Sequence, residues 1–196
     1  MRSAIFRSAW VRGGLRVTHG FTLIETMVVV TIIVVLTMVA APSFQSIYLS
    51  NKLAAFTNDF VASTQVARSE AIKRNQVVRL CRSADGASCA GSGTWQQGWI
   101  VFTDTNNNGT VDSGETIIRA EPAISADYLF QCPTNVTCTG SNYSLAFQAS
   151  GVGSDTASLM LCRSFPSAGS QERTISLGPT GRTTIGKTTT GHCPSP

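Results

Sequence analysis

The run DTNNNGTVDSGE places Asp104, Asn106, Asn108, Gly109, Asp112 and Glu115 at the spacing D-x-[DN]-x-[DN]-G-x5-E, the pattern of a calcium loop. Oxygen-bearing side chains at alternate positions can converge on one hard cation because the glycine permits a sharp turn. Two neutral asparagines lower the charge of such a site. The flanks, GWIVFT and TIIRA, read as strands, whereas an EF-hand needs helices. Calcium is therefore one expectation for Asp104, Asn106, Asn108, Asp112 and Glu115; a metal-free hairpin loop knitted by Asx turns is the other. Glu25 is a second residue that demands chemistry, because it is the one acid between Phe21 and Pro42 in an otherwise apolar run. A carboxylate inside a membrane span costs about 2.5–3.5 kcal/mol on insertion scales unless it finds a partner.

The six cysteines, Cys81, Cys89, Cys132, Cys138, Cys162 and Cys193, all follow that run. Their even number, confined to one side of an apolar segment, suits an oxidising compartment, and none of them stands in a close zinc-type pair. Connectivity is open from sequence alone, but proximity favours Cys81 with Cys89, Cys132 with Cys138, and Cys162 with Cys193. An enzyme is not indicated. His19 precedes the apolar run, His192 lies in the tail, and neither G-x-S-x-G nor HExxH occurs.

The elements that must position these groups follow from charge and periodicity. Four of the 15 Lys and Arg precede Gly20 and none of the 11 Asp and Glu do, so the remainder of the chain is formally neutral. That balance excludes a protein that coats nucleic acid with its whole surface. Phe21 to Ala41, at about 1.5 Å per residue, matches a ~30 Å hydrocarbon core. Arg2, Arg7, Arg12 and Arg16 on its N-terminal side orient it with the C-terminal bulk exported. Pro42 would kink or locally interrupt a continuing helix. Beyond it, Leu49, Leu53, Phe56, Phe60, Ala67 and Ala71 form one apolar stripe, with Asn51, Lys52, Asn58 and Arg68 opposite. One helix is expected from about Phe21 to Asn75, with Lys73 and Arg74 favouring its C-terminal dipole. The runs Val77–Ser83, Gly98–Asp104, Glu115–Ala120, Tyr143–Ser150, Ser158–Phe165 and Arg173–Gly178 then read as strands, separated by turn-forming residues. SADGASCAGSG and the Thr/Gly-rich tail read as surface loops. The fold class is α+β: a long N-terminal helix, its first half transmembrane, packed on an antiparallel β-sheet or sandwich.

GFTLIET followed by an apolar helix resembles the class III leader of type IV pilins and type II secretion pseudopilins. The order ARSEAIKRN, VRLCRS.DG..C, W..GWIVF.D.N.NG..D.GE, a later LC strand and a terminal GR resembles the GspH/FimT subfamily, and closer to its type IV pilus branch. The resemblance implies a pilin-like fold divided into a leader (1–20), a transmembrane helix half (21–42), an amphipathic helix half (43–75) and a disulfide-bonded β domain (76–196). It implies cleavage after Gly20 by a prepilin peptidase, N-methylation of Phe21, and pairing of Glu25 with the protonated Phe21 amine of a neighbouring subunit. Expected partners are major and minor pilins, the peptidase/methyltransferase and the bacterial inner membrane, with the C-terminal domain periplasmic. The expected function is a FimT-like minor pilin in pilus assembly, serving adhesion, twitching motility or DNA uptake. A type II secretion minor pseudopilin H is the structural alternative. A DNA-binding receptor module is the alternative of another class, since some similar proteins bind DNA through a C-terminal Gly-Arg-x-Arg. Here Gly181 and Arg182 match but Thr184 replaces the second arginine, and the next cation is Lys187. Arg182 and Lys187 would face opposite ways on a strand, and with Arg173 they read as a solvated rim.

Overall fold

The computed structural model describes residues 20–132, 143–153, 156–163, 172–188 and 193, apart from the side chains of residues 39, 41–43 and 46. Residues 1–19 of the leader, and Cys138 and His192, lie outside the described residues. Helix α1 runs Leu23–Arg74. Thr22 caps its start: the Glu25 amide donates to Thr22 Oγ1 at 3.3 Å, half of a Thr-x-x-Glu capping box. At its end Asn75 adopts φ 52°. Its amide bonds the Ile72 carbonyl, and the Gln76 amide bonds the Ala71 carbonyl, which is a Schellman closure. Glu70 braces the last turn, accepting from Lys73 at 3.0 Å and Arg74 at 2.8 Å.

The chain divides into two units, 1–41 and 42–196. In the first, Leu23, Ile24, Met27, Val30, Ile33, Leu36 and Met38 are all exposed, so the helix is apolar around its whole circumference. The hydroxyls of Thr26, Thr31 and Thr37 are satisfied internally, on the carbonyls of Leu23, Met27 and Val34. Among the described residues no helix is long and apolar enough to cross a membrane. The uninterrupted run of described side chains stops at Met38, short of Ala41 where the sequence reading ends the span.

The second unit contains two four-stranded antiparallel sheets. The first has the order β3 (Ile117–Glu121), β2 (Trp99–Thr103), β1 (Val78–Arg82), β5 (Ser144–Phe147). The second has the order β4 (Tyr128–Gln131), β6 (Ala157–Arg163), β7 (Glu172–Leu177), β8 (Thr183–Thr188). The central strand β2 is buried at every position. Alternate residues of the first sheet explain this: Leu80, Trp99 and Val101 enter the main core, whereas Cys81, Ile100 and Phe102 pack beneath Cys89, Val111 and Ile117 on the other face.

The helical stripe closes the main core. Leu49, Leu53, Phe60, Ala67 and Ala71 are buried, with Phe56 half-buried. Phe60 lies at its centre, edge-on to Trp95 (5.1 Å), Trp99 (5.4 Å) and Phe130 (4.9 Å). Since Trp99 belongs to one sheet and Phe130 to the other, one helical side chain joins both. Thr57, Ser63 and Thr64 are also buried in this stripe. Ser63 Oγ accepts the Trp99 indole N–H at 2.9 Å, and Thr64 Oγ1 lies 3.0 Å from Thr183 Oγ1 on β8.

Two strands and one burial differ from the sequence reading. Tyr128–Gln131 forms β4, and part of the Thr/Gly-rich tail forms β8 instead of a loop, its register set by β7 from Glu172↔Thr188 to Leu177↔Thr183. Arg173, expected on a solvated rim, is buried, with Nη2 donating to Ser50 Oγ at 3.2 Å on α1.

Candidate functional site

At the N-terminal end, Gly20 is exposed with open space around its Cα, and Phe21 is 81% exposed. Glu25 follows at the third helical position, where the helix dipole favours an anion. Among the described residues its carboxylate has no ion-pair partner. The acid is exposed on a helix whose other described side chains around it are mostly apolar.

The calcium-like loop connects β2 to β3, and its oxygens are held by groups of the chain itself. Asp104 is fully buried. Its Oδ2 accepts Arg79 Nε at 2.5 Å and the Gly109 amide at 3.1 Å, and its Oδ1 accepts the Asn108 amide at 3.0 Å. Arg79 extends from β1 to donate also to Asn107 Oδ1 and Ser144 Oγ. Asn106 and Asn108 carbonyls cap the amides two residues on, while their amide groups both donate to Asp112 Oδ2. These donors hold the Asp112 carboxyl below its ordinary range. Glu115 accepts the Thr105 and Asp112 amides. The Arg79 guanidinium thus answers the charge of the buried Asp104 carboxylate. Among the described residues no group of three or more acidic, histidine or cysteine side chains is placed to hold a metal. The geometry of Asp104, Asn106, Asn108, Asp112 and Glu115 is that of a hairpin loop knitted by Asx turns.

Cys81 is disulfide-bonded to Cys89 and Cys162 to Cys193. Cys132 is also disulfide-bonded; its expected partner, Cys138, lies outside the described residues. The first bridge pins the loop after β1, where Asp85 accepts from Ser83 and Ser88 hydroxyls and from the Ala87 and Ser88 amides. Those bonds, the Ser88 hydroxyl foremost, drive its carboxyl well below 3.8. The second bridge lays Cys193 on the outer face of the second sheet beside Leu129 and Met160.

Gly181 and Arg182 stand at the β7–β8 turn. Gly181 has φ 72°, and a Cβ there would lie 2.7 Å from the Gly151 carbonyl. The glycine of this pair is therefore required by packing, and it presents Arg182 exposed. Lys187 is exposed on β8 opposite Arg173. Arg182 lies in the turn before β8 and Lys187 near the far end of that strand.

The W..GW run also acquires a physical reason. Trp95 and Trp99 are buried, and between them Gly98 at φ 106° passes where a Cβ would lie 2.6 Å from the Glu121 carbonyl. Arg82, buried and stacked on the Tyr143 ring, is a residue that sequence reasoning did not single out. VVRLCRS alternates as a strand, and nothing in that pattern marks Arg82 as a buried arginine.

A long helix, apolar all round in its first unit and amphipathic in its second, with two antiparallel sheets closing on the second part, defines a pilin-like α+β protein. Residues 57–181 match the family described as Type II transport protein GspH, and residues 15–41 match the prokaryotic N-terminal methylation motif. The chain belongs to the GspH family. Among solved structures it is similar to the type IV minor pilin FimU of Pseudomonas aeruginosa (strain PAO1) in two crystal forms. The P21 form is 20% identical with a TM-score of 0.47, covering 69% of this chain and 89% of that chain. The P65 form is 18% identical with a TM-score of 0.43, covering 71% and 90%. No curated protein gives a significant sequence match.

Proposed function

We propose that this protein is a FimT-like minor pilin that takes part in assembling or priming a type IV pilus. In this reading a prepilin peptidase cuts after Gly20, Phe21 becomes N-methylated, and residues 21–41 anchor the chain once through the bacterial inner membrane with the β domain periplasmic. Methylation leaves the Phe21 amine protonated, so Glu25 of one subunit and the amine of the next form an ion pair that fixes axial register. The observation that carries this reading is the coincidence of the methylation motif, residues 15–41, with a helix exposed and apolar on every side. Such a helix needs lipid or like helices to cover it.

The test is mass spectrometry of the chain isolated from cells. A mature protein beginning at N-methylated Phe21 is expected; one beginning elsewhere overturns the reading. Glu25→Ala should lower incorporation into filaments, and incorporation at the normal level removes the registering role.

The family match favours a second reading, a minor pseudopilin H of a type II secretion system. Deletion separates them: loss of pili or twitching supports the first, loss of secreted enzymes the second. Support for adhesion, DNA uptake or a DNA-receptor role is confined to the exposed Arg182 and Lys187. An Arg182→Ala, Lys187→Ala variant with unchanged gel-shift behaviour and transformation would exclude the DNA role.

A further inference from the structure

Asn108 and Gly109 form the one Asn–Gly step in the sequence. A glycine amide has no side chain beside it, so its nitrogen can approach the preceding carboxamide without steric hindrance. The step lies in the loop between β2 and β3, where Asn108 is exposed and Gly109 turns at φ 81°.

Each group that would react there is held by a neighbour. The Asn108 carboxamide oxygen, on the electrophilic carbon, accepts the Thr110 amide and the Thr110 hydroxyl, both at 2.8 Å. Nδ2, the leaving group, donates to Asp112 Oδ2 at 2.6 Å. The Gly109 amide, the nucleophile, donates to Asp104 Oδ2 at 3.1 Å. Asp104 is fully buried and paired with Arg79, so it cannot follow the loop. For the Gly109 nitrogen to attack, the carboxamide must leave Asp112 and Thr110 and the amide must turn from Asp104. Bonds to two carboxylates, the stronger kind, break before the ring closes.

We propose that Asn108 is a latent deamidation site, silent while the loop is closed and committed once it opens. In the open loop the Gly109 nitrogen bonds to Asn108 Cγ and the Cγ–Nδ2 bond breaks. The Gly109 amide proton passes through water to the leaving group, which departs as ammonia. Water then opens the cyclic imide at either carbonyl, giving aspartyl at position 108 or its isoaspartyl isomer. The product carries one more negative charge. Where an N–H faced Asp112 Oδ2, an anionic oxygen now does, and like charges at that distance repel. The closed arrangement is not restored, so an opening of the loop is recorded permanently. This chemistry is the same whether the chain serves a pilus or a secretion system.

The experiment incubates the full chain in detergent at mildly alkaline pH, native and unfolded in guanidinium chloride with its disulfides intact. Peptide mapping that resolves the two isomers follows position 108. The native chain should lose Asn108 at least about tenfold more slowly than the unfolded one, the equivalent of one charge-assisted hydrogen bond. Asp112→Ala, which removes the acceptor of Nδ2, should raise the native rate by a similar factor and leave the unfolded rate unchanged. Both isomers should appear, and in Asn108→Asp the loop amides should exchange hydrogen faster than in the parent chain. Equal native and unfolded rates overturn the proposal, as does a folded Asp112→Ala chain that reacts no faster than its parent. Aspartyl as the sole product would show direct hydrolysis without the Gly109 amide and overturn the chemistry. Unchanged exchange in Asn108→Asp overturns the permanence. Should Asp112→Ala fail to fold, the ratio of native to unfolded rates in the parent chain decides alone.

Discussion

Arg79 Nε meets Asp104 Oδ2 at 2.5 Å, and this carboxylate is the one that opens the calcium-like pattern. With Asp104 fully buried and Arg79 12% exposed, the pair is an interior one. Asp104→Ala should destabilise the protein by about 3–5 kcal/mol, because it strands a buried guanidinium. Urea unfolding measures this. An Arg79→Leu, Asp104→Leu double variant should recover part of the loss; equal or greater destabilisation would show that the amides of Asn108 and Gly109 depend on the carboxylate more than Arg79 does.

Because that guanidinium already sits among the loop oxygens, the melting temperature should not respond to millimolar calcium or to a chelator. A rise of several degrees with calcium, reversed by chelation, would mean that the loop opens to admit the ion.

Phe60→Ala removes three edge-on ring contacts from the core and should cost about 3–5 kcal/mol. Ser63→Ala leaves the buried Trp99 indole N–H without its acceptor and should cost about 1–3 kcal/mol. Denaturant midpoints and tryptophan emission report both, and a neutral Ser63→Ala would show that another acceptor replaces the hydroxyl.

Gly181→Ala forces a side chain into a left-handed turn and against the Gly151 carbonyl. A loss of more than about 1 kcal/mol is expected, exceeding what the change of unfolded-state entropy could return. Arg182→Ala, exposed beside it, should leave the unfolding midpoint unchanged.

Asp85 supplies a pH dependence of definite sign. Its folded carboxyl ionises below the ordinary 3.8, so its contribution is fully present above that pH and disappears as pH falls through the lowered folded value. Protection of the Ala87 and Ser88 amides, read by hydrogen exchange, should be constant near neutrality and fade only in strong acid.

The helix and most of the strands were legible because their periods were clean. The stripe from Leu49 to Ala71 repeats as a helix, and VVRLC and GWIVF repeat as strands. β4 escaped because YLFQ is short, and β8 because TTIGKT is polar and contains glycine; its strand conformation comes from pairing with β7, a tertiary effect that local propensity does not carry. The loop pattern around Asp104 was visible while its ion-pair partner was not, since Arg79 arrives from a strand 25 residues earlier. Arg82 and Arg173 were hidden for a related reason: arginine usually stays at the surface, and only the surrounding fold reveals which ones are enclosed.

Phe60 touches one tryptophan from the first sheet and one phenylalanine from the second, so the helix is not glued to a single layer. A pull on the Pro42 end of this unit would reach both layers through the same side chain. Loosening that one ring would therefore weaken the hold of the helix on both layers together.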